Sequence, residues 1–330
     1  MAQPLRAAIT GMGYSLPRRV MHNSEFEKFL DTSDAWIAQR TGIHSRHVVG
    51  EGETTASLSI DAAKAALADA QVAPGELDMI LVCTVSGEMP FPATACFVQA
   101  ALGINNIPAF DIAAACSGFV YGLSVASKFI ESGTYKKILL IGAETLTRFS
   151  DYTDRGSCIL FGDAAGAVVL EPTSDLRRGV QYTGLYSDGS GADLINVPGG
   201  GSRFGTTHQT VDARMHYVKM RGREVYKFAV EKMQGLLGEC MEKCNLTADD
   251  VDMVVPHQVN MRVIESAMGK FNFPMEKVHV NIDRLGNTST ASIPLALTEC
   301  RDMGKVKAGS TIIMVAFGAG LTWAGAVVRL

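Results

Sequence analysis

The sequence predicts an α/β chain built of two similar halves, each a sheet of buried strands covered by helices. Three observations point there. Short apolar runs alternate with stretches whose apolar residues recur every three or four positions, the signatures of buried strands and amphipathic helices. A helix-to-strand segment of the first half returns in the second at a fixed spacing. The 330 residues are 47% hydrophobic and 19% charged, which suits large cores and lies far from the composition of a disordered chain.

The elements follow in order. Thr54-Thr55 opens a helix carrying Ile60, Ala63, Leu67 and Ala70. After the Pro74-Gly75 connection, Met79–Cys83 reads as a buried strand. A second helix holds Phe97, Ala100 and Ala101. The strand Ala109–Ile112 comes next, then a helix from about Ser117 to Ile130, closed by Gly133. Lys137–Ala143 is a strand, and Cys158–Phe161 and Ala164–Leu170 are expected to pair.

The second half opens with a long helix from about Arg223 to near Cys244. Its exit, Asn245-Leu-Thr-Ala-Asp-Asp-Val-Asp-Met-Val-Val, resembles Gln71-Val-Ala-Pro-Gly-Glu-Leu-Asp-Met-Ile-Leu. Asp78 falls on Asp252 and Met79 on Met253, an offset of 174 residues. The same offset lays Ile138-Leu-Leu-Ile on Ile312-Ile-Met-Val. The two halves are therefore expected at residues 1–175 and 176–330. Between them, Ser187–Gly205 contains Gly189, Gly191, Gly199, Gly200, Gly201 and Gly205. It reads as a surface loop, without the glycine spacing of a nucleotide-binding turn.

Composition excludes several functions. Lys and Arg number 30 against 34 Asp and Glu, a net charge of −4, so no bulk basic footprint for nucleic acid exists. No apolar run is long enough for a membrane span, and the N-terminus lacks the apolar stretch of a signal peptide. The seven cysteines are scattered through apolar segments with no C-x-x-C pair. They are expected to be mostly reduced, buried thiols of a cytoplasmic protein, with no structural zinc site.

Four elements carry candidate chemistry. Cys116 follows the strand end Asp111-Ile-Ala-Ala-Ala and precedes a helix. A thiol at a helix N-terminus faces free N–H groups and the positive end of the dipole, so it is expected to favour thiolate. His257 closes the apolar strand Met253-Val-Val-Pro, at the carboxyl end where open α/β sheets bind ligands. Asn287 lies in Arg284-Leu-Gly-Asn-Thr-Ser-Thr-Ala-Ser-Ile-Pro, as a helix cap or as a donor to a ligand. The fourth is Phe317-Gly-Ala-Gly-Leu-Thr-Trp, a glycine turn that can aim backbone N–H groups into a pocket.

Taken together these elements resemble the thiolase-like condensing enzymes, and among them the β-ketoacyl-acyl carrier protein synthases III. The resemblance extends over nearly the whole chain. It rests on Ser33-Asp-Ala-Trp-Ile-Ala-Gln-Arg-Thr-Gly-Ile, Ala114-Ala-Cys-Ser-Gly-Phe, Asp154-Arg-Gly-Ser, Leu160-Phe-Gly-Asp-Ala-Ala-Gly-Ala, Pro256-His-Gln-Val-Asn, Gly286-Asn-Thr-Ser and Phe317-Gly-Ala-Gly-Leu-Thr-Trp. It implies a five-layered αβαβα sandwich with the site between the halves. It also implies a decarboxylating Claisen condensation of an acyl-coenzyme A starter with malonyl-acyl carrier protein, the reaction that starts fatty acid synthesis.

The resemblance assigns roles by position. Cys116 is the acylated nucleophile, with His257 and Asn287 as neutral donors to the enolate oxygen. The backbone N–H groups of Cys116 and Ala319 form the oxyanion hole. Thr32, Trp36, Arg40 and Arg155 bind coenzyme A, Trp36 and Arg155 sandwiching the adenine. Phe317 lines the acyl pocket, and Phe91 reaches it from the partner of a homodimer. Arg262, Lys227 and Lys270 dock the acidic carrier protein. No metal or redox cofactor is implied. Two departures stand out: Gly269 occupies a position often basic in the family, and Ala319 stands where close relatives carry Gly. An alanine there preserves the N–H donor only with a negative φ.

Neighbouring families separate by residues. The C-terminal glycine turn has no second cysteine, as a thiolase would, and Asn287 stands where chain-elongating synthases carry histidine. Condensing enzymes of polyketide, quinolone and head-to-head acyl pathways share Cys-His-Asn and remain alternatives. So does a silent partner subunit that only binds acyl groups, against which the complete Cys116, His257 and Asn287 set argues.

Overall fold

The computed structural model describes residues 4–271 and 273–330. Two sheets organise the chain. The first runs in the order Arg6–Ser15, Ala164–Thr173, Ile138–Glu144, Met79–Cys83, Ala109–Ile112. The second runs Gly179–Ser187, Thr322–Arg329, Thr311–Gly318, Met253–Pro256. Along each order the first two pairings are antiparallel and the third is parallel.

The spacing of 174 residues is a register. Met79 pairs with Ile138, and Met253 pairs with Ile312. The Asp78 carboxylate accepts from the Lys137 N–H at 2.9 Å, and the Asp252 carboxylate accepts from the Thr311 N–H at 2.7 Å. Each aspartate thus ties the start of its strand to the same point on the neighbouring strand. The fifth position differs. Ile80 pairs with Ala109 within a full strand, whereas Val254 makes a single bridge to Val278.

Five layers result. The helices Thr55–Ala70 and Thr94–Ala101 cover the outer face of the first sheet, meeting it through Leu58, Ala62, Ala66 and Val98. The helices Gly222–Lys243 and Met261–Gly269 cover the second through Met233, Leu237, Ile264 and Met268. Between the sheets lie Gly118–Glu131 and Ser292–Asp302, one helix from each half, buried through Phe119, Leu123, Ile293 and Leu297. Fully burying a side chain of this size contributes about 1.5–3 kcal/mol. This central layer, wetted on neither face, joins the halves.

Glycine sets how close the layers come. Gly142 and Gly166 pair across adjacent strands. A Cβ on Gly142 would stand 2.6 Å from the Thr290 carbonyl oxygen, and one on Gly166 would stand 2.7 Å from the Leu295 N–H. The bare backbone there admits residues 290–295 of the second half onto the first half's sheet.

Two expectations change. Cys158–Phe161 does not form a strand with Ala164–Leu170. The strand Ala164–Thr173 lies instead between Arg6–Ser15 and Ile138–Glu144. Residues 158–160 are a turn, and Phe161 makes a parallel bridge to Asn287. The turn forms because the Asp154 carboxylate accepts from the Ser157 hydroxyl at 2.6 Å and from the Gly156 N–H at 2.9 Å, bending the chain before it can extend. The Ser187–Gly205 segment is also more structured than a plain loop: Ile195–Asn196 pairs with Lys219–Met220.

Gly166→Ala is expected to destabilise the protein by about 1–3 kcal/mol, since the Cβ meets backbone that cannot rotate away. Urea unfolding of the variant beside wild type measures the shift. An unchanged midpoint would show that the central helix yields without cost.

Candidate active site

The strand Ala109–Ile112 leads into a single 3-10 turn, Ala115–Ser117, and then into the helix Gly118–Glu131. Ala115 takes φ 46°, a left-handed conformation uncommon for a residue with a side chain. This bend sets Cys116 at the helix start. The second half holds the bend in place. The Thr322 hydroxyl donates to the Ala114 carbonyl at 2.9 Å and lies 2.7 Å from the Ser117 hydroxyl. A Cβ on Gly318 would lie 2.6 Å from the Cys116 backbone nitrogen, so only glycine fits where the two turns meet. Ala319 is not among the residues with positive φ. Alanine at that position therefore leaves the backbone free of strain.

His257 extends the ladder of Met253–Pro256, its N–H donating to the Val315 carbonyl at 2.8 Å. The side chain is fully buried, edge-on to Phe317 with 5.7 Å between centroids. Burial lowers its pKa to about 3, so the ring is neutral near pH 7. Nδ1 lies 2.9 Å from the Ser292 hydroxyl, which donates to the Ser289 carbonyl at 2.7 Å. With that single proton engaged, Nδ1 carries the imidazole proton and Nε2 a lone pair. Nε2 has no hydrogen-bond partner among the described residues. The expectation of a donating His257 thus requires the other tautomer, which Ser292 supports once its proton turns to Nδ1.

Asn287 is fixed by its backbone: its N–H donates to the Leu160 carbonyl at 2.8 Å, and its carbonyl accepts from Gly162 at 3.0 Å. The side-chain oxygen accepts from the Ser289 N–H at 2.9 Å. Asn287 thus makes a local side-chain turn just ahead of Ser289–Ala291, whose N-cap is Thr288 rather than the expected Asn287. With the oxygen so used, the amide NH₂ is the end left to donate.

Cys116, His257, Asn287, Phe317 and Ala319 line one cavity of about 250 Å³. The rest of its wall is mostly apolar, including Leu146, Phe149, Ile195, Val197 and Val218. The thiol departs from expectation. Burial pushes it up to about 12, the Ser289 hydroxyl 3.3 Å away offsets this in part, and the Glu144 carboxylate adds to it. Burial thus opposes the helix N-terminus at this sulfur.

The coenzyme A candidates form a separate group. The guanidinium groups of Arg40 and Arg155 lie 4.5 and 4.8 Å from the Trp36 ring centroid. A ring can enter between Trp36 and Arg155 only by displacing the arginine, which donates to the Asp31 carbonyl at 2.5 Å. The Thr32 hydroxyl is buried without a hydrogen-bond partner among the described residues. Lys227 and Lys270 are exposed on the neighbouring helices Gly222–Lys243 and at the end of Met261–Gly269. Arg262 is tied down, donating to the Gln39 carbonyl at 2.6 Å, while the Asn260 amide donates to the Arg40 carbonyl at 3.0 Å. Arg262 therefore braces the helix bearing Trp36 and Arg40. Phe91 is 84% exposed and lines no part of this chain's own cavity.

Sequence reasoning missed Ser289, Ser292 and Glu144, and the wall from Ile195 to Val197. The one signal for Glu144 was a carboxylate ending the apolar run Ile138–Ala143.

Gly318→Ala is expected to slow acyl transfer on the order of 10–100-fold, because the Cys116 backbone must move by a sizeable fraction of an ångström. Single-turnover acylation with a melting curve checks it. Wild-type rates would mean the turns adapt without disturbing the thiol.

Known proteins resemble this chain in sequence and in fold. Residues 110–203 match the family 3-oxoacyl-[acyl-carrier-protein (ACP)] synthase III, and residues 241–330 match its C-terminal counterpart. The chain is 46% identical to the β-ketoacyl-[acyl-carrier-protein] synthase III of Caldanaerobacter subterraneus, over 100% of this chain and 99% of that one. The Clostridioides difficile protein of the same name is also 46% identical, over 98% of each. The crystal structure of the Aquifex aeolicus synthase III superposes with a TM-score of 0.90 at 44% identity, covering 98% of this chain and 100% of that one. A priming β-ketosynthase of the R1128 polyketide pathway superposes with a TM-score of 0.91 at 32% identity, covering 100% and 98%. The fold is thus thiolase-like, and the chain belongs to the β-ketoacyl-acyl carrier protein synthase III family, acyltransferases whose condensation initiates fatty acid synthesis.

Proposed function

We propose that the thiol of Cys116 takes an acyl group from acyl-coenzyme A and passes it to the enolate of malonyl-acyl carrier protein, with His257 and Asn287 serving the second step. The observation that carries this reading is the single apolar cavity shared by Cys116 from residues 1–175 and by His257, Asn287 and Ala319 from residues 176–330. A soft sulfur suits a thioester carbonyl. The backbone N–H groups of Cys116 and Ala319 act as the oxyanion donors. Loss of CO₂ leaves an enolate oxygen, to which the Asn287 amide and His257 Nε2–H donate. In a dry site such donors are worth far more than in water. The carbanion attacks the acyl-Cys116 carbonyl and expels sulfur, giving β-ketoacyl-carrier protein. The reaction proceeds on the thioesters alone.

Trp36, Arg40, Arg155 and Thr32 are assigned to coenzyme A. The planar guanidinium of Arg155 can exchange the Trp36 face for an adenine face, and Arg40 suits phosphate. The acyl pocket is assigned to Phe317, with Phe91 supplied by the second subunit of a homodimer, since so exposed a ring calls for a covering surface. Carrier-protein docking is assigned to Lys227 and Lys270, with Arg262 as both a cation and a brace.

Half-reactions test this. Intact-mass analysis with acyl-coenzyme A should find one acyl group on Cys116 and none on Cys116→Ser. His257→Ala and Asn287→Ala should still acylate but lose about 10²–10³-fold in CO₂ release. Failed acylation with normal CO₂ release would reverse the roles. The docking assignment has its own test. Lys227→Glu combined with Lys270→Glu should raise KM for malonyl-carrier protein severalfold, the scale of exposed ion pairs at about 0.5–1 kcal/mol each, and more so at low salt. Acylation by coenzyme A thioesters should not change. An equal fall in both rates would move the docking face elsewhere.

A further inference from the structure

A buried carboxylate lies one hydroxyl away from the nucleophile, and the condensation chemistry above does not use it. Glu144 ends the strand Ile138–Glu144 and is fully buried. Its Oε1 is 3.2 Å from the Ser289 hydroxyl, and that hydroxyl is 3.3 Å from Cys116 Sγ. The other Glu144 contacts are all donors without charge. The Val85 N–H lies at 3.3 Å, the Ser86 N–H at 3.1 Å and the Thr84 hydroxyl at 3.4 Å, and the Ser86 hydroxyl also donates. No Lys, Arg or His pairs with it among the described residues.

A carboxylate without a cation is costly to bury, and a structural site is as well served by an apolar side chain of the same volume. Ser289 takes φ 51°, a left-handed backbone at a residue with a side chain. That conformation holds its hydroxyl between thiol and carboxylate. The hydroxyl has one proton. Given to Glu144, it leaves the Ser289 oxygen to accept from the Cys116 thiol, and S–H, O–H and carboxylate form a continuous chain.

We propose that Glu144 accepts the Cys116 proton through the Ser289 hydroxyl during acyl transfer and returns it when condensation expels the sulfur. This rests on Cys116 as the nucleophile. In the first step the S–H bond breaks and its proton joins the Ser289 oxygen, while the Ser289 proton moves to Glu144 Oε1. The sulfur electron pair forms the bond to the acyl carbon. The carbon–sulfur bond to coenzyme A breaks, and its thiolate takes a proton from water. In the second step the enolate carbon bonds to the acyl carbon, and Cys116 leaves as thiolate. Glu144 protonates it back through Ser289. Over both steps one proton is consumed, as a decarboxylation from an ionised malonyl group requires.

Burial pushes Glu144 up to about 7, where a base combines ionisation with affinity for a proton. The titratable groups around it are few. The thiols of Cys116 and Cys83 feel its charge, and Asp111 faces Cys83 while capping the Thr94 and Ala95 N–H groups. Glu88, on the loop after Ser86, accepts from the Ala56 N–H instead. His257, the rival acceptor, makes no hydrogen bond to Cys116, whose one side-chain partner among the described residues is Ser289.

The test is single-turnover acylation of Cys116 by acyl-coenzyme A across pH. A base works when ionised, so the wild-type rate should rise with pH and level off above about 7. Glu144→Gln keeps the shape but cannot take a proton. It should lose about 10²-fold and lose the inflection, while His257→Ala keeps it. Ser289→Ala should match Glu144→Gln, and it stands in should the glutamine variant fail to melt cooperatively. A merely structural Glu144 would lower the rate equally at every pH and leave the inflection in place, overturning the relay. An inflection that disappears in His257→Ala instead would move the base to the imidazole. Mass analysis on the same samples separates the two levels: acyl groups found off Cys116 sink the nucleophile assignment itself.

Discussion

Backbone approach across the Gly142–Gly166 pair decides where everything else lies. At these positions the first half's sheet has no side chains, and the segment from Asn287 to Leu295 descends onto it until its own backbone is in contact. That segment carries Asn287, Ser289 and Ser292, each joined to a different partner. Asn287 faces the cavity, Ser289 spans Cys116 and Glu144, and Ser292 holds His257. Gly142 lies two residues before Glu144 on the same strand, so one close contact fixes both the layer spacing and the reach of Ser289. The turn at Gly318 repeats this device on the other side of the thiol.

Among the described residues, no Lys, Arg, Asp or Glu lines the resulting cavity, and the Glu144 carboxyl stands behind Ser289. His257 is held neutral and Cys116 protonated, each because burial penalises its ion. Fixed dipoles remain: the Asn287 amide, backbone N–H groups and hydroxyls. These are already oriented and need no rearrangement as charge develops. The cations stand elsewhere, on the wall of Trp36, Arg40 and Arg155. The proposed recognition of charged substrate parts and the proposed chemistry on the thioester thereby fall on different surfaces.

Much of this was legible in the sequence, for physical reasons. Strand cores are apolar and helices periodic, so Met79–Cys83, Ala109–Ile112, Thr55–Ala70, Gly118–Glu131 and Gly222–Lys243 could be read with limits close to those observed, whereas Gly179–Ser187, Thr322–Arg329 and the central helix Ser292–Asp302 were not read. The repeat was legible because Asp78 and Asp252 do the same backbone work at equivalent points. What failed depended on distant partners. Cys158–Phe161 has strand composition but is bent by Asp154 and paired with Asn287. The strand Arg6–Ser15 interrupts its apolar run with Thr10, Gly11 and Gly13, which hides it from periodicity. Cys116 meets a helix start as expected, while the burial that opposes its ionisation is invisible to local pattern. Nothing local in the sequence marks Glu144 and Ser289 as neighbours; only folding sets the Ser289 hydroxyl between the carboxyl and the thiol.

The cavity's outer wall is attached differently from its floor. Ile195 and Val197 belong to a segment secured by the two-residue ladder of Ile195–Asn196 with Lys219–Met220, and Val218 by one hydrogen bond to the Phe149 carbonyl at 2.8 Å. The reacting groups, in contrast, stand on the two sheets and the central layer. Substitutions along the wall would alter the depth of the cavity without touching the register that aligns sulfur, imidazole and amide. If the cavity holds the starter chain as proposed, its depth can change by substitution in this lightly secured wall while the reacting groups keep their alignment.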